Sequence, residues 1–224
     1  MSTPIVILKN QAVPVCYTAV NLSTKFEANS QNELSRNISD AKAGQADAFE
    51  RLMSQFYPAV FGMLCKWTGN WHDAEDLAQE TFLKAYKYLG RFRTGESFRA
   101  WLFQIAINLA HDLHRDRKAA FLTSPIDEAV LEAIDPEPVA EETLHRKQIL
   151  QMIHQMLPEF SPRERSVFVL KTMEGLENDE IAVILGISST TVRRFYGIVR
   201  QKILRALEEQ KPGLLQGRET RRQD

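Results

Sequence analysis

The stretch "DAEDLAQETFLKAYKYL", residues 73–89, is the most specific string in the chain, and it has a helical pattern. A step of 100° per residue gathers its apolar side chains on one face and its charged side chains on another. The first face consists of Leu77, Ala78, Thr81, Phe82, Ala85 and Leu89. The second consists of Asp73, Asp76, Glu80, Lys84 and Lys87. The stretch therefore predicts an amphipathic helix, and its acidic first turn suits the positive end of the helix dipole.

Helical patterns also lie on both sides of this stretch. Residues 47–67, "DAFERLMSQFYPAVFGMLCKW", and residues 97–118, "SFRAWLFQIAINLAHDLHRDRK", form long periodic runs with little Pro or Gly inside them. Helical patterns return between Leu144 and Leu207. Because strand-like alternation is absent from these runs, the sequence predicts an all-α chain of two small helical domains.

Composition shifts divide the chain into five predicted parts. Between Phe121 and His145 there are seven acidic residues and no Lys or Arg, and three prolines fall in the same stretch, which indicates a linker. The predicted parts are a flexible extension (1–37), a first helical domain (38–120), an acidic flexible linker (121–143), a second helical domain (144–208) and a polar tail (209–224).

The composition excludes several classes of protein. The two cysteines, Cys16 and Cys65, form no CxxC pair, so a disulfide framework or a zinc site is not expected and a reducing cytoplasm is the simplest location. No stretch approaches the length of apolar sequence that spans a membrane. From Arg193 to Arg222 nine Lys or Arg stand against three acidic residues, which is typical of a surface that faces nucleic acid.

The second domain carries the pattern of a helix-turn-helix. In "FSPRERSVFVLKTMEGL", residues 160–176, Ser161 and Glu164 form a capping box around Pro162. The short helix "ENDEIAVIL", residues 177–185, stops at Gly186, and Ser188 then caps a third helix. Two short helices around a tight turn that contains glycine are typical of this DNA-binding motif.

The third helix of this motif has an inward and an outward face. Val192, Val199, Ile203 and Ala206 share the inward face, and Phe195 lies at its edge. The outward face is basic and consists of Arg193, Arg194, Gly197, Arg200 and Gln201. Arginine and glutamine contact phosphates and base edges in the major groove. A solvated basic face without a ligand is the simpler alternative.

Aromatic and cationic residues alternate between Phe92 and Lys118. This combination suits single-stranded DNA, because bases stack on rings while cations hold the backbone. Each ring taken singly is also a candidate for the core. His111 and His114, beside Asp112 and Asp116, raise the alternative of a metalloenzyme, which we disfavour because no third group of ligands accompanies them.

Three strings together resemble the extracytoplasmic-function (ECF) group of the bacterial σ70 family, over residues 38–207. "DAEDLAQETFLKAY" resembles the region that binds the β′ clamp helices of RNA polymerase. "FRTGESFRAWLFQIAINLAHDLHR" resembles the region that melts and reads the promoter −10 element. "SPRERSVFVL" followed by "EIAVILGISSTTVRR" resembles the region that docks on the β flap and reads the −35 element. A LuxR-type activator remains the alternative for the second domain alone.

The resemblance and the helix faces together predict three sets of site residues. The core-polymerase contacts are Asp76, Gln79 and Glu80. The −10 contacts are Phe92, Arg93, Ser97, Trp101, Asn108, Asp112 and Arg115, with the loop 93–97 forming a pocket for a flipped base. The −35 contacts are Thr191, Arg193, Arg194, Gly197, Ile198, Arg200 and Gln201. The resemblance further implies a cytoplasmic transcription-initiation factor without enzymatic activity, cofactor or metal, with core polymerase, promoter DNA and an anti-σ factor as partners.

The sequence departs from the family pattern in its third helix. Phe195 and Ile198 replace two basic positions, and Gly197 replaces a larger side chain. Glu177 stands where a capping serine is usual. Because glycine costs helix stability but allows close approach of the backbone, we expect Gly197 to bring this helix nearer to DNA.

Overall fold

Helices form the whole of the described architecture. The computed structural model describes residues 28–116 and 155–210. The first range contains α1 (Ala28–Lys42), α2 (Ala46–Thr68), α3 (Trp71–Tyr88), a 3₁₀ turn (Leu89–Arg91) and α4 (Phe98–Asp116). The second contains a 3₁₀ turn (Leu157–Glu159), α5 (Pro162–Phe168), a π-helix (Val169–Met173), α6 (Asn178–Leu185) and α7 (Ser189–Gln210). These two ranges contain no strand, and the all-α prediction is confirmed.

The first helix begins earlier than the sequence predicted. Residues 28–37, assigned to a flexible extension, form the first part of α1, so that assignment is wrong for these ten positions. Ile38 and Ala41 are buried against α2, and Leu34 packs beside them. Leu34, Ile38 and Ala41 form a narrow apolar stripe at i, i+4 and i+7. The sequence pattern did not reveal it, because Asn, Ser and Gln dominate the surrounding positions. The predicted linker (121–143) lies outside the described residues, as does the tail from residue 211.

The α2–α3 corner is built by local side-chain bonds. Gly69 ends α2 in the left-handed conformation at φ 69°, and its N–H donates to the Cys65 carbonyl. Asn70 then caps α3, because its side chain accepts from the Asp73 N–H at 2.9 Å. The corner turns the buried faces of α2 and α3 toward α4, where Leu102, Phe103 and Ile107 complete the core.

The helix-turn-helix forms with the caps that the sequence indicated. Ser161 accepts from the Glu164 N–H at 3.3 Å, while the Glu164 carboxylate accepts from the Ser161 N–H at 2.8 Å. Gly186 ends α6 at φ 62°, and Ser188 caps α7 by accepting from the Thr191 N–H at 3.1 Å. Glu177, which stands where a serine is usual, also caps its helix through a box with Glu180.

A buried arginine joins the two halves of the molecule. Arg165 of α5 is 1% exposed, and its guanidinium lies 4.8 Å from the centre of the Trp67 ring. It donates to the Leu157 carbonyl from Nε at 2.9 Å and to the Trp67 carbonyl from Nη1 at 3.3 Å. Burial lowers the pKa of Arg165 to about 10. The Trp67 indole N–H in turn donates to Ser166 Oγ at 3.0 Å.

Replacing Arg165 by methionine leaves two buried carbonyls without this donor. Because an unmet buried polar group costs about 1–3 kcal/mol, we expect Arg165→Met to lower the free energy of unfolding by at least that amount. Arg163→Met is the matched control, since Arg163 is exposed on the same helix. Urea unfolding followed by far-UV circular dichroism measures both variants, and equal midpoints for them would contradict this role of Arg165.

His111 lies in the same contact. Its Nε2 is 3.2 Å from the Pro162 carbonyl and 2.9 Å from Ser166 Oγ. Burial lowers the pKa of His111 from its ordinary value of 6.5. The hydrogen bond to the Pro162 carbonyl and the charge of Asp112 act to raise this pKa, whereas the charges of Arg163 and Arg165 act to lower it. The contact of His111 with α5 therefore favours the neutral imidazole.

Acid should weaken this contact. When the contact opens, the pKa of His111 returns toward its ordinary value, so the open form takes up a proton more readily as the pH falls below about 6.5. Between about pH 7.5 and about pH 5.5 we expect the melting temperature of the wild type to fall further than that of His111→Gln. Scanning calorimetry measures the difference, and parallel curves for the two proteins would refute it.

Candidate nucleic-acid and protein interfaces

The predicted core-polymerase residues share one exposed face of α3. Asp76, Gln79 and Glu80 all project into solvent. The opposite side of the helix holds them in place, with Leu77, Ala78 and Phe82 in the core. Glu80 pairs with Lys84 at 3.1 Å, but both side chains are about half exposed, and such surface pairs hold little energy. The carboxylates of this face thus stay available to a partner.

Two exposed apolar side chains adjoin these acids, and neither is among the contacts predicted from the sequence. Leu83 is 71% exposed and Tyr86 is 55% exposed, and both follow the acidic residues on α3. The Tyr86 ring meets Phe49 of α2 edge-on, with the ring centres 5.0 Å apart. Acidic and apolar side chains side by side are typical of a protein-binding surface. The signal was present in the sequence, since Leu83 falls outside the apolar face of the wheel.

The predicted −10 residues divide into an exposed set and a buried one. The side chains of Arg93, Ser97, Asn108, Asp112 and Arg115 are exposed, and Trp101 is half-buried.

Phe92 belongs to the buried set, because it is only 4% exposed. Its ring lies 5.2 Å from that of Phe98 and 5.3 Å from that of Trp101. In this conformation the Phe92 ring packs against Phe98 and Trp101 and has no free face for a base.

The loop between the 3₁₀ turn and α4 is fixed at both ends. Lys42 of α1 donates from Nζ to the Phe92 carbonyl at 2.5 Å, which fixes the start of the loop. Ser97 accepts from the Ala100 N–H at 3.2 Å and so caps α4. Between them Gly95 adopts φ 99°, a backbone conformation that favours glycine. Hydrogen bonds therefore hold both ends of the loop, while its residues 93–97 stay exposed to solvent.

At the other end of α4 the charges partly compensate each other. Arg115 Nη2 lies 3.2 Å from Asp112, and Arg115 Nε lies 3.7 Å from Asp116. All three side chains are more than half exposed, so an incoming phosphate can compete for the guanidinium.

The outward face of α7 matches the sequence-based wheel. Val192 and Val199 are fully buried, whereas Arg193, Arg194, Gly197, Arg200 and Gln201 are exposed. Thr191 and Ile198 are half-buried at the two margins of this face. Phe195 packs against the core, and the Arg194 guanidinium lies 5.3 Å from the centre of the Phe195 ring. Lys202 joins α7 to α5 through Glu164 at 3.0 Å, which orients the face.

Gly197 is not required by crowding within the protein. A Cβ built at this position meets no other atom within 4 Å. The helix there is regular, so the glycine serves no turn or kink of its own. Its place in the middle of the basic face leaves room for a ligand outside the protein.

The two histidines of the alternative metal site turn to other partners. His111 bonds to α5, and His114 is buried with its ring edge-on to Trp67. Across residues 28–116 and 155–210 no three His, Cys, Asp or Glu side chains converge as metal ligands would.

Comparison with known proteins identifies both domains. The family model described as Sigma-70 region 2 matches residues 52–120, and that described as Sigma-70 region 4 matches residues 150–209. The RNA polymerase sigma factor YlaC of Bacillus subtilis is 31% identical over 74% of this chain and 97% of its own length. The chain belongs to the σ70 family, in its ECF group.

Other proteins similar to this chain are also σ factors. RNA polymerase sigma-H factor of Pseudomonas aeruginosa is 28% identical over 76% of this chain and 92% of its own length. The structure of CnrH, a σ factor of Cupriavidus metallidurans, in complex with the cytosolic domain of CnrY is 25% identical. It covers 80% of this chain and 99% of CnrH, with a TM-score of 0.58.

These findings decide between the two readings of the helix-turn-helix. A LuxR-type activator carries a sensory domain ahead of its motif, whereas residues 52–120 of this chain are region 2 of a σ factor. The prediction of a σ factor that binds core RNA polymerase and directs it to promoters is confirmed. No helix within the two described ranges is long and apolar enough to cross a membrane.

Proposed function

We propose that this σ factor divides its work among three exposed surfaces, on α3, α4 and α7. The α3 surface binds core polymerase, α4 and its preceding loop capture the melted −10 strand, and α7 reads the −35 duplex. The protein catalyses no reaction itself, because the polymerase supplies the chemistry. It acts in the cytoplasm. The observation that carries this proposal is the basic outward face of α7, which is exposed while the apolar face beneath it is buried.

The α3 surface is suited to a protein partner that offers both cations and apolar side chains. Asp76 and Glu80 provide charge, which speeds and orients association. Leu83 and Tyr86 provide apolar area that is costly to leave in water. We therefore add these two side chains to the polymerase-binding set.

The α4 surface is suited to single-stranded DNA. The loop 93–97 is exposed and held at both ends, and Asn108 of α4 offers an exposed hydrogen-bonding amide. Trp101 supplies the half-buried ring, while Arg115 supplies a cation for the backbone. Extruding a base costs a few kcal/mol, which these contacts must offset.

An anti-σ factor is the expected regulatory partner. CnrH is bound to the cytosolic domain of CnrY in its structure. A σ factor RpoE of Bartonella quintana, bound to the anti-sigma factor NepR, shares the fold at 20% identity, a TM-score of 0.53, and coverage of 73% of this chain and 98% of RpoE. By analogy with CnrH, we propose that a protein of this kind binds this chain and withholds it from polymerase.

Reversing the charge of the α3 face should prevent transcription. We expect Asp76→Arg combined with Glu80→Arg to lower promoter-specific run-off transcription with purified core polymerase about tenfold or more, because like charges then meet at the interface. Sequencing of the DNA bound by the wild-type holoenzyme supplies the promoters for the assay.

Glu50→Arg combined with Glu159→Arg is the matched control, with the same change in net charge at two exposed positions elsewhere. It should transcribe like the wild type. Full activity of the α3 variant would show that the polymerase face lies elsewhere, and inactivity of the wild type would refute the proposed function.

Gly197→Ala separates folding from DNA binding. Since a Cβ meets no neighbour there and alanine favours helices, we expect the free energy of unfolding to rise by about 0.5–1 kcal/mol. If the helix backbone lies close to DNA, the same variant binds −35 duplex more weakly. Thermal unfolding and fluorescence anisotropy with a duplex measure the two effects, and unchanged DNA affinity would make the glycine incidental.

A further inference from the structure

Lys42, the last residue of α1, contacts the start of the loop before α4 from 50 positions away in the chain. Its Nζ donates to the Phe92 carbonyl at 2.5 Å and lies 5.6 Å from the centre of the Phe92 ring. A hydrogen bond from a cation is roughly twice as strong as one between neutral groups, and the attraction of an ammonium for a ring adds to it. One side chain therefore holds both the backbone and the ring of Phe92.

The corner between α1 and α2 fixes the position of Lys42. Its neighbour Ala41 is buried against α2. The Gly44 N–H donates to the Ala41 carbonyl at 3.1 Å, and the Gln45 N–H donates to the Asp40 carbonyl at 3.0 Å. A cation in the last turn also suits the negative end of the helix dipole. Because the backbone at Lys42 is held in this way, its side chain is a fixed support for the loop.

The other hydrogen bonds of the loop are local. The Phe92 N–H donates back to the 3₁₀ turn at 3.1 Å, and the Glu96 N–H donates to the Arg93 carbonyl at 3.2 Å, which closes a β-turn. At the far end the loop bonds to the first turn of α4. Among the residues that the structure describes, Lys42 therefore supplies the one hydrogen bond that joins residues 92–97 to a distant part of the chain.

The bond from Lys42 also sets the orientation of the peptide group between Phe92 and Arg93. This peptide is trans, so its carbonyl and its N–H point in opposite directions. With the carbonyl held by Lys42, the Arg93 N–H points away from α1. Within the described ranges this N–H donates to no protein acceptor, and the side chains of residues 93–97 are exposed. The loop therefore keeps a backbone donor available to a ligand.

We infer that Lys42 is a positioning residue for base recognition: by holding the Phe92 carbonyl, it fixes loop 93–97 in the conformation that accepts a flipped −10 base. This inference rests on the proposed function, since the α4 surface must capture the −10 strand before the loop can read a base. Lys42 acts through Phe92 and touches no base itself. Phe92 also packs on Trp101, with the ring centres 5.3 Å apart, so the same support extends to the ring offered for stacking.

Loss of this support should reduce selectivity between bases. A loop that is already held in its binding conformation loses less entropy on binding than a loop that samples several conformations. Lys42→Met keeps an apolar stem of similar length but removes the donor and the charge. We expect discrimination at the −10 position that enters the loop to fall about threefold or more.

Binding of single-stranded −10 oligonucleotides to the holoenzyme tests the inference. The sequence comes from the promoters bound by the wild-type holoenzyme, and each −10 position is replaced in turn by an abasic site. Fluorescence anisotropy gives the loss of affinity at each position. In Lys42→Met the loss should shrink at a single position and match the wild type at the others. A general loss of charge would instead weaken binding of every strand by the same factor, the abasic strands included.

Two variants control for charge and for the donor. Arg36→Met removes an exposed cation from the same helix and should discriminate as the wild type does at every position. Lys42→Arg keeps a cationic donor at the end of α1 and should restore most of the discrimination.

Gly95→Ala disturbs the loop from within, because φ 99° is strained for alanine although a Cβ meets no neighbour there. It should reduce discrimination at the same −10 position as Lys42→Met. In the variant that combines both changes the effects should be less than additive, since both act on one loop conformation. Additive effects, or effects at two different positions, would contradict the inference.

Three further results would overturn it: unchanged discrimination in Lys42→Met at every position, an equal loss of affinity for all strands, or an Arg36→Met variant that behaves as Lys42→Met does. In each of these cases the wild-type holoenzyme still prefers its −10 strand, so the proposed function stands. A wild-type holoenzyme without preference for the −10 strand over an unrelated strand would refute the proposed function and this inference together.

Discussion

The contact between the Arg165 guanidinium and the Trp67 ring is the constraint on which the described arrangement depends. An arginine keeps its charge in almost every environment, so burying it obliges the surrounding backbone to supply acceptors. The carbonyls of Leu157 and Trp67 meet this need from opposite domains. Ser166 and His111 complete the polar contacts around the same ring. The position of the helix-turn-helix relative to the first domain follows from these directional bonds as well as from apolar burial.

The three candidate surfaces differ in the chemistry that they offer. On α3 the acids adjoin the exposed Leu83 and Tyr86, which suits a protein. On α7 the arginines surround a glycine, which suits the charged and closely approached surface of a duplex. On α4 a single half-buried tryptophan adjoins an anchored loop, which suits unpaired bases. Each surface is held by a buried face of the same helix, so recognition and stability use different sides of one element.

Local patterns predicted the faces of α3 and α7 and the caps at Ser161, Gly186 and Ser188, because these depend on neighbours within four residues. The sequence did not predict the burial of Phe92, since an aromatic beside arginines is equally suited to stacking and to a core. Nor did it predict the two ion pairs of Glu174, whose partners are distant in the chain. The start of α1 was missed for a third reason, namely that three apolar contacts with α2 outweigh a polar local composition.

The π-helix at Val169–Met173 sets the direction in which Glu174 leaves the second domain. A π-helical turn accommodates one residue more than an α-helical turn, and each residue of an α-helix rotates the chain by 100°. Removing one residue from this segment would therefore rotate Glu174 away from Lys66 and Arg99, its partners at 2.8 Å and 3.0 Å. The two ion pairs between the domains thus depend on a single extra residue in one helical turn.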